Sequence, residues 1–179
     1  MKKLMLAALT VTVGVVSANS EALWMRDVKI SPDGSTIAFT YKGDIYTVGS
    51  QGGKATRLTS LESYEANPIW SPDGRQIAFS SDRHGNLDVF VMDADGANQR
   101  RLTTNSASEI PETFSPDGSE VWFSAAIQAP QKSAMFPTGR MTQFYGVKTT
   151  GGKSRQILGT PAQMPSFSTS PPIPSTSIR

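Results

Sequence analysis

The feature that most constrains the fold of this 179-residue chain is a tetrapeptide, Ser-Pro-Asp-Gly, that occurs three times. Its copies lie at 31–34, 71–74 and 115–118, so that their starts are 40 and 44 residues apart. Each copy predicts a tight turn, because proline presets φ, aspartate bonds its own backbone, and glycine accepts a positive φ. A recurrence near forty residues indicates a repeated structural unit.

The same succession of segments follows each turn. An apolar segment of the Ile-Ala-Phe type comes first, a second apolar segment follows it, and a glycine turn then precedes an Arg-Leu-Thr segment or its counterpart. In the three units these segments are 37–39, 77–79 and 121–123, then 44–48, 88–92 and 143–147, and finally 57–59, 101–103 and 156–158. With the apolar residue before each tetrapeptide, one unit comprises four short strands, which is typical of a β-propeller blade. We therefore predict an all-β fold, a partial, open β-propeller of about three four-stranded antiparallel blades.

When the three units are aligned, two positions carry an apolar residue in every unit, and we call each such set a column. These columns favour a propeller over an unrelated β-sandwich with chance similarity. Successive side chains of a strand point to opposite faces, so that the two columns lie on the two faces of each sheet. A blade has a neighbour on both faces, whereas a sheet with one face in water would show a polar column. The columns are Ile45, Val89 and Phe144 on one face, and Tyr46, Phe90 and Tyr145 on the other.

The repeats divide the chain into three predicted parts. Residues 1–22 form a signal peptide, residues 23–160 form the blades, and residues 161–179 form a disordered tail. Within the second part, the blades extend over about 24–60, 66–104 and 109–160.

The N-terminal segment has the three regions of a secretory signal peptide. Lys2 and Lys3 precede an apolar run at 4–16, and small residues follow it. The run is shorter than the roughly 20 residues that span a bilayer, so that we expect cleavage rather than membrane anchoring. Cleavage after Ala18, Ser20 or Ala22 would leave a periplasmic or secreted protein with no membrane span.

The C-terminal tail breaks the repeat inside its own motif. Residues 164–168 resemble 67–71, but a Ser/Pro-rich segment follows instead of Pro-Asp-Gly. Either this is a natural flexible tail, or a reading-frame change or premature end has truncated a longer repeat protein. We favour truncation as the expectation. Three blades would leave two blade faces without a neighbour, which predicts self-association through the open blade edges.

Composition and motifs exclude several classes of chemistry. The chain has no cysteine, which excludes disulfides, cysteine-ligated zinc and a thiol nucleophile. The net charge is +2 and no Lys/Arg run occurs, which argues against a nucleic-acid partner. We also expect no cofactor and no metal. Asp33, Asp73 and Asp117 could suggest calcium, but one aspartate per unit, followed by glycine, fits turn chemistry better.

His84 is the only histidine and therefore the only candidate for a histidine-dependent general base. Its neighbours Ser80, Ser81, Asp82 and Asp88 could complete a catalytic group, but no nucleophile motif accompanies them. The alternative is an exposed turn residue, which we favour, and we predict no catalytic residue. The arginines near the fourth strands are expected to be solvated or to pair between blades rather than bind an anion; they are Arg57, Arg101 and Arg155.

The best candidate for partner binding is the long insertion at 125–142 in the third unit. Met135 and Phe136 are apolar residues on this loop, and Arg140 is close to them in sequence. An exposed apolar loop often marks a partner interface. The alternative is that Phe136 folds back over the blade edge and closes its core.

The three units resemble the TolB-like, WD-repeat-like propeller repeat over nearly all of 24–160. Four stretches are similar to the N-terminal propeller of tricorn-like serine peptidases, which are exported multidomain enzymes of bacteria. The stretches are 23–26, 41–46, 132–137 and 140–142. In that family the catalytic serine lies far downstream, so that no catalytic residue is carried over. The resemblance implies a role in gating or presenting peptide substrates.

Three functional hypotheses follow from these observations. The first is a non-catalytic propeller segment for protein or peptide interaction, the N-terminal fragment of a tricorn-like periplasmic peptidase. The second is a free-standing TolB-like periplasmic interaction module. The third, which we rank last, is an enzyme in its own right.

Overall fold

The computed structural model of the chain describes residues 24–126 and 142–158. The predicted signal peptide, the predicted tail and the residues Met135, Phe136 and Arg140 lie outside the described residues. Every regular element within the described part is a β-strand, and the strands form three four-stranded antiparallel sheets.

Each sheet takes its strands in chain order, so that every blade is a simple meander. The first blade contains β1 (Met25–Ile30), β2 (Thr36–Tyr41), β3 (Asp44–Gly49) and β4 (Thr56–Arg57). The second contains β5 (Glu65–Trp70), β6 (Gln76–Ser81), β7 (Asp88–Asp93) and β8 (Arg100–Arg101). The third contains β9 (Glu109–Phe114), β10 (Glu120–Ala125), β11 (Gln143–Lys148) and β12 (Arg155–Leu158).

The three blades stand side by side, with their first strands adjacent. Strand β5 contacts β1, β2 and β3 of the preceding blade, and β9 contacts β5, β6 and β7 in the same way. The prediction of a partial, open β-propeller with three four-stranded antiparallel blades is therefore confirmed.

The Ser-Pro-Asp-Gly segments form one turn geometry in all three blades. Ser31 Oγ donates to Asp33 Oδ1 at 2.6 Å and accepts from Thr36 N at 2.9 Å, while Gly34 N donates to Ser31 O at 2.9 Å. The turns that begin at Ser71 and Ser115 repeat these bonds. The three glycines have φ of +74°, +70° and +72°, as the sequence predicted.

The prolines of the first two turns lie close to the glycine of the following turn. An ideal Cβ on Gly74 would lie 3.7 Å from Pro32 Cδ, and one on Gly118 would lie 3.7 Å from Pro72 Cδ. The three turns therefore form a row along one end of the sheets, which we call the turn face.

The core lies between the blades. We call the side of a blade that faces the next blade in the chain its forward face, and the opposite side its backward face. Ile45 packs forward against the second blade and Val89 packs forward against the third. Phe90 and Tyr145 pack backward, so that the two columns do lie on opposite faces.

Every blade carries one stacked aromatic pair across its second and third strands, on the backward face. Ring centroids are separated by 5.6 to 5.8 Å in the three blades. The pairs are Phe39–Tyr46, Phe79–Phe90 and Phe123–Tyr145. Such pairs stabilise antiparallel strands directly, and in the second and third blades they also give the preceding blade a flat apolar surface to pack on.

Substitution of Gly34 tests the turn geometry without a steric complication. An ideal Cβ there meets no atom within 4 Å, so that a new side chain is penalised by the φ of +74° alone. We expect Gly34→Val to lower the free energy of unfolding by about 1–2 kcal/mol, and Gly34→Asn by clearly less, because asparagine tolerates the left-handed region. Chemical denaturation measures both values, and equal losses would contradict this turn.

Candidate interaction site

The end of the sheets opposite the turn face carries the connections between second and third strands, and we call it the loop face. It also carries the connections that lead from the fourth strand of one blade to the first strand of the next. Strand β10 ends at Ala125 and β11 begins at Gln143, so that the long insertion leaves and re-enters at this face. Whether Met135, Phe136 and Arg140 bind a partner stays a prediction.

A groove of about 410 Å³ opens on the loop face between the first and second blades. It is lined by Trp24, Arg26, Thr40, Lys42, Gly43 and Tyr64. The two aromatic residues are well exposed, Trp24 at 68% and Tyr64 at 41%. The Arg26 guanidinium lies 5.9 Å from the centroid of the Trp24 ring, so that one wall combines an aromatic surface with a cation.

Local backbone geometry fixes the groove walls. Lys42 and Gly43 have φ of +52° and +86°, which gives a two-residue hairpin turn between β2 and β3. A Cβ on Gly43 would lie 3.4 Å from Cδ2 of Tyr64, so that the absence of a side chain there admits the Tyr64 ring. Tyr64 N donates to Asp82 Oδ1 at 2.7 Å, and Asp82 N donates to Tyr64 O at 3.2 Å.

The chemistry of this groove suits an extended or flexible chain with an apolar side chain. Aromatic walls supply contact area, and the Arg26 and Lys42 cations can attract a carboxylate or a backbone carbonyl. Sequence reasoning missed the groove, because Trp24 and Tyr64 are 40 residues apart and meet only when two blades pack.

His84 is an exposed turn residue in this structure, and its ring stacks on Phe90 with centroids 6.1 Å apart. The hydroxyls of the two neighbouring serines donate hydrogen bonds to other groups. Ser80 Oγ donates to Glu109 O at 3.0 Å, and Ser81 Oγ donates to Glu65 Oε1 at 2.9 Å. The geometry thus brings neither serine to His84, and the prediction of no catalytic residue remains to be tested by activity.

The three turn aspartates bond within their own turns, as turn chemistry requires. Hydrogen bonds from Ser31 and then from Ser35 lower the pKa of Asp33 to about 2, and bonds from Ser115 and Ser119 do the same for Asp117. The pKa of Asp73 is lowered by the same arrangement, first through Ser71. In residues 24–126 and 142–158, no group of three or more acidic or histidine side chains could hold a metal ion.

The three arginines pair with carboxylates of their own blades, so that only the predicted alternative of pairs between blades was wrong. Arg57 Nη2 lies 2.7 Å from Asp44 Oδ2, and Arg101 Nη2 lies 2.7 Å from Asp88 Oδ2. Each pair joins the third and fourth strands of one blade, where the guanidinium of a fourth-strand residue reaches the first residue of the third strand. Arg155 likewise pairs within its own blade, with Glu120 at 2.6 Å. The side chains of Arg57 and Arg155 remain solvated, with exposures of 46% and 59%, as the other predicted alternative had it.

A buried glutamate of the following blade approaches each of the first two ion pairs. Glu65 and Glu109 are fully buried at the starts of β5 and β9. Burial raises the pKa of Glu109, and the charge of Asp88 adds to this effect, while hydrogen bonds from Thr103 and Asn105 oppose it. Glu109 Oε2 is buried without a hydrogen-bond partner. A buried polar layer thus underlies the loop face at both blade junctions.

Arg83 anchors this layer in the second blade and was also missed from the sequence. Its guanidinium lies 3.2 Å from Glu65 Oε1, donates to Ser81 Oγ at 2.8 Å and lies 4.4 Å from the Phe90 ring centroid. The repeat did contain a signal for the glutamates, because Glu65 and Glu109 have the same 44-residue separation as Ser71 and Ser115.

Comparison with known proteins places these features in a family context. The family described as the tricorn protease N-terminal β-propeller domain matches residues 22–171. The uncharacterized protein Atu1656 of Agrobacterium fabrum is 43% identical over 65 residues, which cover 33% of this chain and 22% of that protein. The uncharacterized peptidase YuxL of Bacillus subtilis is 41% identical over 56 residues, which cover 28% of this chain and 8% of that protein.

Among solved structures, a putative TolB from Agrobacterium tumefaciens is similar with a TM-score of 0.59 and 27% identity. The match covers 72% of this chain and 47% of that one. The chain therefore spans less than a quarter of the two curated relatives and about half of this structural relative. Within the described segments, no helix has the length and apolar character that crossing a bilayer requires.

The Glu109→Gln variant tests the buried layer through the pH dependence of stability. The folded state raises the pKa of Glu109 above its ordinary value of 4.5. The stability that protonated Glu109 contributes is therefore fully present below pH 4.5 and is lost as the pH rises through the folded-state pKa. We expect the wild type to lose stability relative to Glu109→Gln as pH increases from acidic to neutral. Urea denaturation at several pH values measures this difference. The exposed Glu62→Gln is the matched control, and parallel curves for wild type and Glu109→Gln would contradict the assignment.

Proposed function

Because the chain belongs to the family of tricorn protease N-terminal β-propeller domains, we propose that it is a non-catalytic propeller segment that binds peptides or proteins at its loop face. Its role in a tricorn-like exported peptidase would be to gate or present peptide substrates, with hydrolysis carried out elsewhere. The similarity to the peptidase YuxL supports this lineage.

The observation that carries the proposal is the groove between the first two blades. Large aromatic side chains are usually buried, yet Trp24 and Tyr64 stand open to solvent beside two cations. The Tyr64 backbone is held by its two hydrogen bonds with Asp82, and the Lys42-Gly43 turn forms the adjoining wall, so that this side of the groove is formed before any ligand arrives. A preformed site loses less conformational entropy on binding.

A free-standing TolB-like periplasmic interaction module is the second candidate. The 27% identity to the putative TolB over 72% of this chain favours it. On this hypothesis the loop face would bind a folded envelope protein rather than an extended peptide. Export is part of both proposals and rests on the apolar run at 4–16 after Lys2 and Lys3.

Binding at the groove is tested with a fluorescein-labelled peptide that carries an aromatic residue next to a glutamate. We expect Tyr64→Ala to weaken binding by roughly tenfold, since an exposed aromatic that anchors a ligand contributes on the order of 1–2 kcal/mol. Lys42→Asn should weaken binding less, and its asparagine tolerates the positive φ of that position.

Fluorescence anisotropy gives the dissociation constants. The matched control for charge is Arg75→Asn, an exposed residue next to the turn face, where no change is expected. Unchanged affinity in Tyr64→Ala would contradict the groove as the binding site. If the chain binds a folded envelope protein but does not bind the peptide, the result would favour the second candidate.

We also expect no peptide hydrolysis by this chain alone. A serine nucleophile needs a base within hydrogen-bond reach, whereas the hydroxyls of Ser80 and Ser81 donate to other groups. Incubation with a fluorogenic peptide measures hydrolysis. Reaction with a fluorophosphonate, which labels activated serines, shows whether the chain has a serine nucleophile. Labelling of a serine in this chain would contradict the proposal and revive the third hypothesis.

A further inference from the structure

The two segments that join consecutive blades at the loop face have the same length and the same attachments. We call residues 58–64 the first linker and residues 102–108 the second linker. Matched hydrogen bonds of 2.7 to 2.9 Å fix both ends of each linker. The donors and acceptors are Leu58 N to Ile45 O, Ile45 N to Thr59 Oγ1 and Glu65 N to Gly43 O for the first linker, and Leu102 N to Val89 O, Val89 N to Thr103 Oγ1 and Glu109 N to Leu87 O for the second. Equal length and equal attachment make the backbone groups of the two linkers equivalent.

A side chain of the second blade caps the second linker. The Asn86 amide donates to Asn105 O at 3.0 Å and to Ala107 O at 2.9 Å. A primary amide has two N–H groups, so that each carbonyl can accept one of them. Asn86 belongs to the connection at 82–87 between β6 and β7, which is long enough to lie against the linker.

The equivalent carbonyls of the first linker have no such donor. Leu61 and Ser63 lie 44 positions before Asn105 and Ala107, which is also the separation of the second and third Ser-Pro-Asp-Gly turns. Within the described part of the chain, no donor bonds Leu61 O or Ser63 O. We call these two oxygens the carbonyl pair.

The short hairpin of the first blade explains why the carbonyl pair is open. Gly43 and Leu87 end their hairpins with the same bond to the following blade, so that Lys42 takes the place of Asn86 in the chain. The Lys42 ammonium lies 5.4 Å from the centroid of the Tyr41 ring. It is therefore engaged with that ring rather than with the carbonyl pair.

The carbonyl pair borders the groove. An ideal Cβ on Gly43 would lie 3.9 Å from Ser63 O and 3.4 Å from Tyr64 Cδ2. The charges beside the pair are mixed, because Glu62 lies between the two carbonyls in the chain and Lys42 lines the groove. This mixture gives a cationic donor no advantage over a neutral one.

We propose that the carbonyl pair binds the primary carboxamide of an asparagine or glutamine side chain, in a peptide whose neighbouring aromatic residue occupies the groove. The bound carboxamide repeats the two hydrogen bonds that Asn86 makes at the second linker. This inference rests on the proposed function, because the peptide reaches the pair from the groove. It adds a requirement for a ligand side chain that the aromatic wall does not impose.

Peptide affinity for the full chain tests this requirement. The fluorescein-labelled peptide carries an aromatic residue between a glutamate and a glutamine. The matched control peptide carries N,N-dimethylglutamine, which keeps the side-chain carbonyl and has no N–H group. We expect dimethylation to weaken binding roughly tenfold in fluorescence anisotropy, because both hydrogen bonds are lost.

Carbonyl-carbon NMR of the full chain locates the bonds. We expect excess acetamide to shift the carbonyl carbons of Leu61 and Ser63 downfield, because it donates two N–H groups. N,N-dimethylacetamide, which has no N–H group, should shift neither. The internal control is the carbonyl carbon of Thr59, whose oxygen already accepts from Arg57 Nε at 2.7 Å and should not move.

The Asn86→Ala variant tests whether the two linkers are equivalent. It leaves Asn105 O and Ala107 O without their donor. Acetamide should then shift the carbonyl carbons of Asn105 and Ala107 as well, whereas in the wild type it should leave them unmoved. Unchanged cross-peaks elsewhere in the spectrum show that the variant remains folded.

Each outcome supports or overturns the carboxamide site. Weaker binding of the dimethylated peptide, together with acetamide shifts at Leu61 and Ser63, supports it. Equal affinity for the two peptides, unshifted carbonyl carbons, or tighter binding when lysine replaces the glutamine would overturn it. If Tyr64→Ala still weakens both peptides in that case, the groove stands and only the carboxamide requirement fails. If Tyr64→Ala weakens neither peptide, the proposed function fails as well.

Discussion

A four-stranded blade with apolar side chains on both faces is stable only between neighbours, and the rest of this structure depends on that constraint. The stacked pairs on the backward faces and the aliphatic column on the forward faces are two halves of one interface. Phe79 and Phe90 of the second blade complete the core that Ile45 of the first blade begins. The backbone hydrogen bonds thus lie within each blade, whereas the apolar contacts that stabilise the fold lie between neighbouring blades.

The polar layer beneath the loop face adds specificity to these apolar junctions. Buried ion pairs gain little net free energy, but a buried carboxylate without a partner is strongly unfavourable. The approach of Glu109 to the Asp88–Arg101 pair therefore penalises a blade that slips in register or meets the wrong neighbour. The same layer supports the loop face from below, because Arg83 and Glu65 hold the connection on which His84 lies.

The sequence predicted those features that depend on interactions between residues close to each other in the chain. Ser31, Asp33 and Gly34 form their turn through bonds within five residues, so that their geometry could be predicted before any blade was placed. The alternation of Ile45 and Tyr46 likewise predicted which residues lie on opposite faces. The groove and the arginine partners depend instead on how strands and blades meet, which no local pattern contains. Arg57 could have faced solvent, the next blade or Asp44, and only the β3–β4 pairing decides among them.

The contact between each turn proline and the next turn glycine has a consequence for how such chains can grow. Each unit carries both the proline and the glycine of this contact, so that an in-frame duplication of the second blade would form a contact of the same kind, Pro72 with a second Gly74. Duplication of the third blade would instead place the large Trp122 against a second Phe114, where the existing junctions place an alanine. The second blade can therefore be duplicated without changing the sizes of the residues that meet at a junction, whereas the third cannot.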